Sequence, residues 1–146
     1  MKKLTYLFLA LIIVACSSDD SSEQLFLEKY DGVVWEYFED DGEADWEKIA
    51  FINNSKALTI YTDGICFTFN LEGTTETPDG TLTLSIEEET ENSLTIFGQY
   101  QLYPEDNGLL IFTVTSDGST YTLTKGDGDN VEDDRIYIRT DDEVCF

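Results

Sequence analysis

The side chains of this chain with chemistry to offer are three cysteines and a large set of carboxylates. Histidine is absent from all 146 residues. Its absence removes the Ser-His-Asp and Cys-His plans of nucleophilic catalysis, the commonest general base, and zinc sites built on imidazole. Asp and Glu number 31 against 8 Lys and Arg, for a net charge of −23. Paired carboxylates can run glycoside hydrolysis. Here the acids fall at almost every turn, so no pair is singled out, and the chain reads as a protein that is not an enzyme. One loop gathers Asp127, Asp129, Glu132, Asp133 and Asp134. Oxygen ligands on a loop suit calcium, but neither the glycine nor the closing glutamate of an EF-hand falls in place. Calcium is the one cofactor that these residue types raise.

Cys16 has a different setting from the other two cysteines. Lys2 and Lys3 form a short basic start, Leu4 to Ala15 is an apolar run, and Ser17-Ser18-Asp19-Asp20 follows the thiol. About a dozen apolar residues are too few to span a bilayer comfortably, so a cleaved signal peptide is expected rather than a transmembrane helix. Ile13-Val14-Ala15-Cys16 resembles a bacterial lipobox, which implies cleavage before Cys16 and lipidation of its sulfur. Asp19-Asp20 resembles the signal by which some Gram-negative groups send lipoproteins to the cell surface. The expected location is the bacterial outer membrane, lipid-anchored and facing out, with the membrane reached through the lipid on Cys16. An exported chain with Cys66 and Cys145 left over is expected to pair them in a disulfide.

The expected organisation is a signal peptide at 1–15, a lipidated cysteine with a flexible acidic tether at 16–29, and a single domain at 30–146. Residues 17–24 carry no core-forming side chain, and Leu25 to Tyr30 has room for one helical turn. The acidic surface excludes nucleic acid as a partner and leaves basic partners, cations or neutral ligands.

From Val33 onward the apolar period is two, the mark of half-buried strands. Strands are expected at 33–38, 46–52, 57–61, 65–70, 81–86, 94–98, 109–115, 119–125 and 135–140. Asp63-Gly64 and Asp117-Gly118 are two-residue hairpin signals, and Pro78-Asp79-Gly80 is a third turn. Residues 87–91 read as an exposed connection. The inward list by alternation includes Ile49, Phe51, Ile60, Phe67, Phe69, Leu82, Leu84, Leu94, Ile96, Leu110, Phe112, Leu123, Ile136 and Ile138, with no ionisable residue among them. Short connections in series build an antiparallel meander of about eight to nine strands. A long meander removes its edges by closing into a β-barrel; a β-sandwich is the alternative.

Gly32-Val33-Val34-Trp35 on the first strand and Tyr137-Ile138-Arg139 on the last resemble the lipocalin-like lipoproteins of bacteria, small barrels behind a lipobox. The resemblance implies a barrel that binds a small apolar or amphipathic ligand. Trp35, Tyr37, Phe51, Phe67, Phe69, Phe112 and Tyr121 are the candidate ligand contacts, with Tyr37 and Tyr121 as polar anchors. It also implies that Arg139, or failing that Arg135, lies over Trp35 where the barrel closes. The large inward residues suit the alternative equally well: a solid barrel, filled by its own side chains, whose acidic outer surface binds a protein or a cation.

Overall fold

Alternation governs the fold almost from end to end. The computed structural model describes residues 24–39, 45–78, 80–117, 120–126 and 135–145. A single helical turn, α1 (Phe26–Lys29), precedes ten strands: β1 (Val34–Glu39), β2 (Asp45–Ile52), β3 (Ala57–Thr62), β4 (Ile65–Asn70), β5 (Gly73–Thr77), β6 (Gly80–Glu89), β7 (Ser93–Tyr100), β8 (Gly108–Ser116), β9 (Tyr121–Gly126) and β10 (Arg135–Thr140). Each strand pairs antiparallel with the one before it, except at β4 and β5, and β10 returns to pair with β1. The result is an all-β meander forming a nearly closed barrel. β4 and β5 are the two edges, joined by Leu71 and Glu72 with no ladder between them. Leu71 is fully buried beneath that seam, and its N–H donates to the Lys56 carbonyl at 2.8 Å.

The hairpins form where residues tolerate a left-handed backbone. Asp63 and Gly64 sit at φ 52° and 78°, the conformation that a tight β3–β4 turn requires. Strands 9 and 10 are fixed by register: Tyr137 lies opposite Leu123, and Trp35 opposite Arg139. A one-residue slip would turn every inward side chain outward.

Several expectations are corrected. There are ten strands among the described residues, not eight or nine. β5 has no apolar residue and therefore no hydrophobic period to read. It is held by pairing with β6 and by a Thr74–Thr83 hydroxyl contact of 2.9 Å. β6 runs on to Glu89 through a bulge between Ile86 and Glu88, where an exposed connection was expected. Ile136 and Ile138 face outward, 57% and 47% exposed, while Tyr137 between them is fully buried. Residues 26–30 belong to the barrel rather than to a tether. Phe26, Leu27 and Tyr30 enter the core, and the Phe26 N–H donates to the Thr90 carbonyl at 2.8 Å. Since α1 sits where β6 ends and β7 begins, it closes that end of the barrel.

Outside the barrel the tail crosses β1, β2 and β3. Val144 packs with Val34 and Ala50, against Tyr61. Lys48, on the same outer face, donates to Asp142 at 2.6 Å. Cys145 is joined to Cys66 of β4 by a disulfide, with the Cα atoms 5.8 Å apart.

Candidate functional site

Glu47 is where the inward pattern takes a charge. The alternation Glu47, Ile49, Phe51 along β2 puts its carboxylate on the inner face, and only 10% of that side chain is exposed. A bare carboxylate in such a place is costly, so donors must meet it. Three do. The Tyr137 hydroxyl donates to Oε1, Arg135 approaches Oε2 at 3.3 Å, and the Lys125 ammonium lies 3.7 Å from Oε1. Register assembles the group: Lys125 is opposite Arg135, and Glu47 is opposite Tyr37. The Arg135 guanidinium lies over the Tyr37 ring, 5.1 Å from its centre, and that ring tilts against Tyr137 at 5.5 Å.

Burial first, and then the Glu47 charge and hydrogen bond, push the Tyr137 phenol well above the ordinary tyrosine value of 10. The native state thus holds this proton more tightly than the unfolded chain does. Its contribution is complete below pH about 10 and is lost as pH rises above it, by at most ~1.4 kcal/mol per pH unit. Tyr137→Phe is expected to flatten that part of the alkaline stability slope. Chemical denaturation of both proteins between pH 9 and 11, on the order of two units, measures it; identical slopes would count against the assignment.

Next to this cluster is a partly open, mainly apolar cavity of about 140 Å³. Leu58, Phe69, Leu84 and Phe112 line it. Tyr100 and Lys125 also line it, both at the ends of their strands away from α1. The polar part of the lining therefore lies towards the end of the barrel away from α1. Tyr100 is the most exposed of its lining residues, at 37%. Burial, and second the nearby Asp106 charge, raise its phenol pKa above the ordinary tyrosine value. Pockets for drug-sized ligands run from roughly 300 to 1,000 Å³, whereas an apolar cavity of about 150 Å³ suffices for benzene. The space matches one aromatic ring or a short alkyl chain.

Of the candidate ligand contacts, Phe69 and Phe112 line this cavity. Phe67 stacks on Phe69 with ring centres 6.4 Å apart. Trp35 and Phe51 are fully buried core residues, and Tyr37 belongs to the Glu47 cluster. The expected Arg139–Trp35 contact is corrected: β1 and β10 are neighbours, but Arg139 lies over Tyr121, 5.7 Å from the ring centre. Tyr121 is 41% exposed and anchors nothing in the cavity. Arg135, the fallback, lies over Tyr37 instead. Trp35 packs edge-on to Tyr30 at 5.9 Å, and its indole N–H has no hydrogen-bond partner. An orphan donor costs about 1–3 kcal/mol, which burial of so large a ring offsets.

The expectation of an inner face without ionisable residues is also wrong. Glu47 and Lys125 follow the same alternation as Phe51 and Leu123, so the signal was present and their charge masked it. Cys16 and the acidic set Asp127, Asp129, Glu132, Asp133 and Asp134 lie outside the described residues. Among the described residues no group of three or more acidic or cysteine side chains is arranged to hold a metal.

Comparison of the chain with protein-family models, with curated proteins and with solved structures finds no match. The functional reading therefore rests on the barrel, its cavity and the residues at its mouth.

Proposed function

We propose that the mature chain is a lipid-anchored, non-enzymatic binding module whose barrel takes a small apolar or amphipathic ligand. The observation that carries this reading is the cavity of about 140 Å³ lined by apolar residues such as Phe69 and Phe112 and by the polar Tyr100 and Lys125. The proposed anchor is the lipid on Cys16, and the proposed location is the outer membrane, facing the cell exterior. Support for the absence of catalysis comes from a chain without histidine and a cavity with an apolar lining.

Toluene, titrated calorimetrically, tests the cavity. The wild type should bind it, and Leu110→Trp, which puts an indole into the space, should lose binding while remaining folded. A wild type that takes up no toluene would sink the ligand role and leave the acidic outer surface, meeting a protein or a cation, as the working face. The anchor has its own test. Expressed in a bacterial host, the wild type should partition into detergent and carry a diacylglyceryl group, and Cys16→Ala should do neither. Equal lipidation of the two proteins would refute the lipobox reading.

A further inference from the structure

We infer that the ligand carries a carboxylate, bound at the cavity mouth by Lys125. This rests on the cavity reading above and makes it more specific. Beyond Lys2 and Lys3, the basic residues of this acidic chain are Lys29, Lys48, Lys56, Lys125, Arg135 and Arg139. Lys125 is the one of these that lines the cavity. Lys29 pairs with Glu91, Lys48 with Asp142 and Lys56 with Glu72, all away from the cavity. The acidic exterior disfavours anions at large, but an ammonium lining an apolar space gives that one space a place for a negative group. The apolar part of a ligand goes in, and a negative group stays at the mouth.

Lys125 can accept that group without orphaning Glu47. Its ammonium is 3.7 Å from Glu47 Oε1, an ion pair longer than a hydrogen bond. Oε1 already accepts from the Tyr137 hydroxyl, and Oε2 lies 3.3 Å from Arg135. When Lys125 turns to an incoming carboxylate, both oxygens of Glu47 keep a donor. Exchanging one carboxylate partner for another leaves the ammonium's charge answered throughout, so the exchange avoids the large cost of an unpaired ion. Tyr100 lines the same cavity, and its hydroxyl is the second donor that this inference assigns to the head group. Glu47 shapes the specificity in turn: its fixed negative charge near the mouth favours a singly charged head over a doubly charged phosphate monoester.

Benzoate and benzyl alcohol have the same ring and differ in head-group charge, so they form the test. Each is titrated calorimetrically into the full-length wild type, Lys125→Met and Lys125→Arg. The wild type should bind benzoate at least tenfold more tightly than benzyl alcohol. Lys125→Met should bring the ratio of the two Kd values to about one, and Lys125→Arg should keep a preference for benzoate. Equal affinities in the wild type, or a preference that survives Lys125→Met, would overturn the carboxylate inference and leave the cavity reading standing. If neither compound bound the wild type, the cavity reading would fall too.

Discussion

The double variant Cys66→Ser/Cys145→Ser is expected to unfold about 4 kcal/mol more easily than the native chain. The bridge joins residues 79 apart in sequence. Chain-entropy arguments put the restriction such a loop imposes on the unfolded state at about 4 kcal/mol. The structure adds a reason for the native state to suffer as well. Without the bridge, the last residues are held to the barrel by Val144, packed on Val34 and Ala50, and by the Lys48–Asp142 ion pair. Asp142 is well exposed, so that pair gives little by itself. Domains of this size are stable by about 5–15 kcal/mol, so the loss is a large fraction of the total. Equilibrium denaturation under non-reducing conditions measures it. A change below about 1 kcal/mol would mean that the unfolded chain is already compact around these residues.

Legibility in the sequence followed the apolar period. Strands such as Thr81–Ile86, where threonine and leucine alternate, and turns such as Asp63-Gly64 were readable because side-chain periodicity and left-handed tolerance are local properties. β5 was not, because Gly73-Thr74-Thr75-Glu76-Thr77 becomes a strand only through its neighbour β6. On β10 the apolar Ile136 and Ile138 read as inward, and the structure inverts the strand. Tyr137 is inward because Glu47, two strands away in the sheet order, accepts its hydrogen bond. That pairing spans 90 residues of sequence and leaves no local trace. The site was hidden in the same way: Glu47 and Lys125 lie on readable inner faces, but the Glu47 charge is tolerable there only because Tyr137, Arg135 and Lys125, from distant strands, meet it. The candidate aromatics Phe69 and Phe112 were legible because ring and cavity share one apolar face.

Phe26→Ala is expected to cost about 3–5 kcal/mol, the usual range for emptying a buried phenylalanine site. Phe26 is fully buried, edge-on to Phe51 with ring centres 5.1 Å apart and 5.0 Å from Tyr30. Phe51 in turn meets Phe112 edge-on at 5.1 Å, so Phe26 ends a row of rings leading to the wall of the cavity. A four-residue helix has no stability of its own, and Leu25 at its start makes no side-chain capping bond. Packing and two backbone donors hold it: Phe26 N–H to Thr90, and Leu27 N–H to Glu89 Oε1, both at 2.8 Å. Removing the ring therefore releases the helix as well as leaving a void beside Phe51. Leu25→Ala, at a position 47% exposed, serves as the control and should stay within about 0.5 kcal/mol of the wild type. Thermal or urea unfolding of the two variants side by side separates the cases. If Phe26→Ala were as mild as Leu25→Ala, α1 would be an appendage of the barrel. The expected gap between them makes it the barrel's floor, and the packed domain then begins before residue 30.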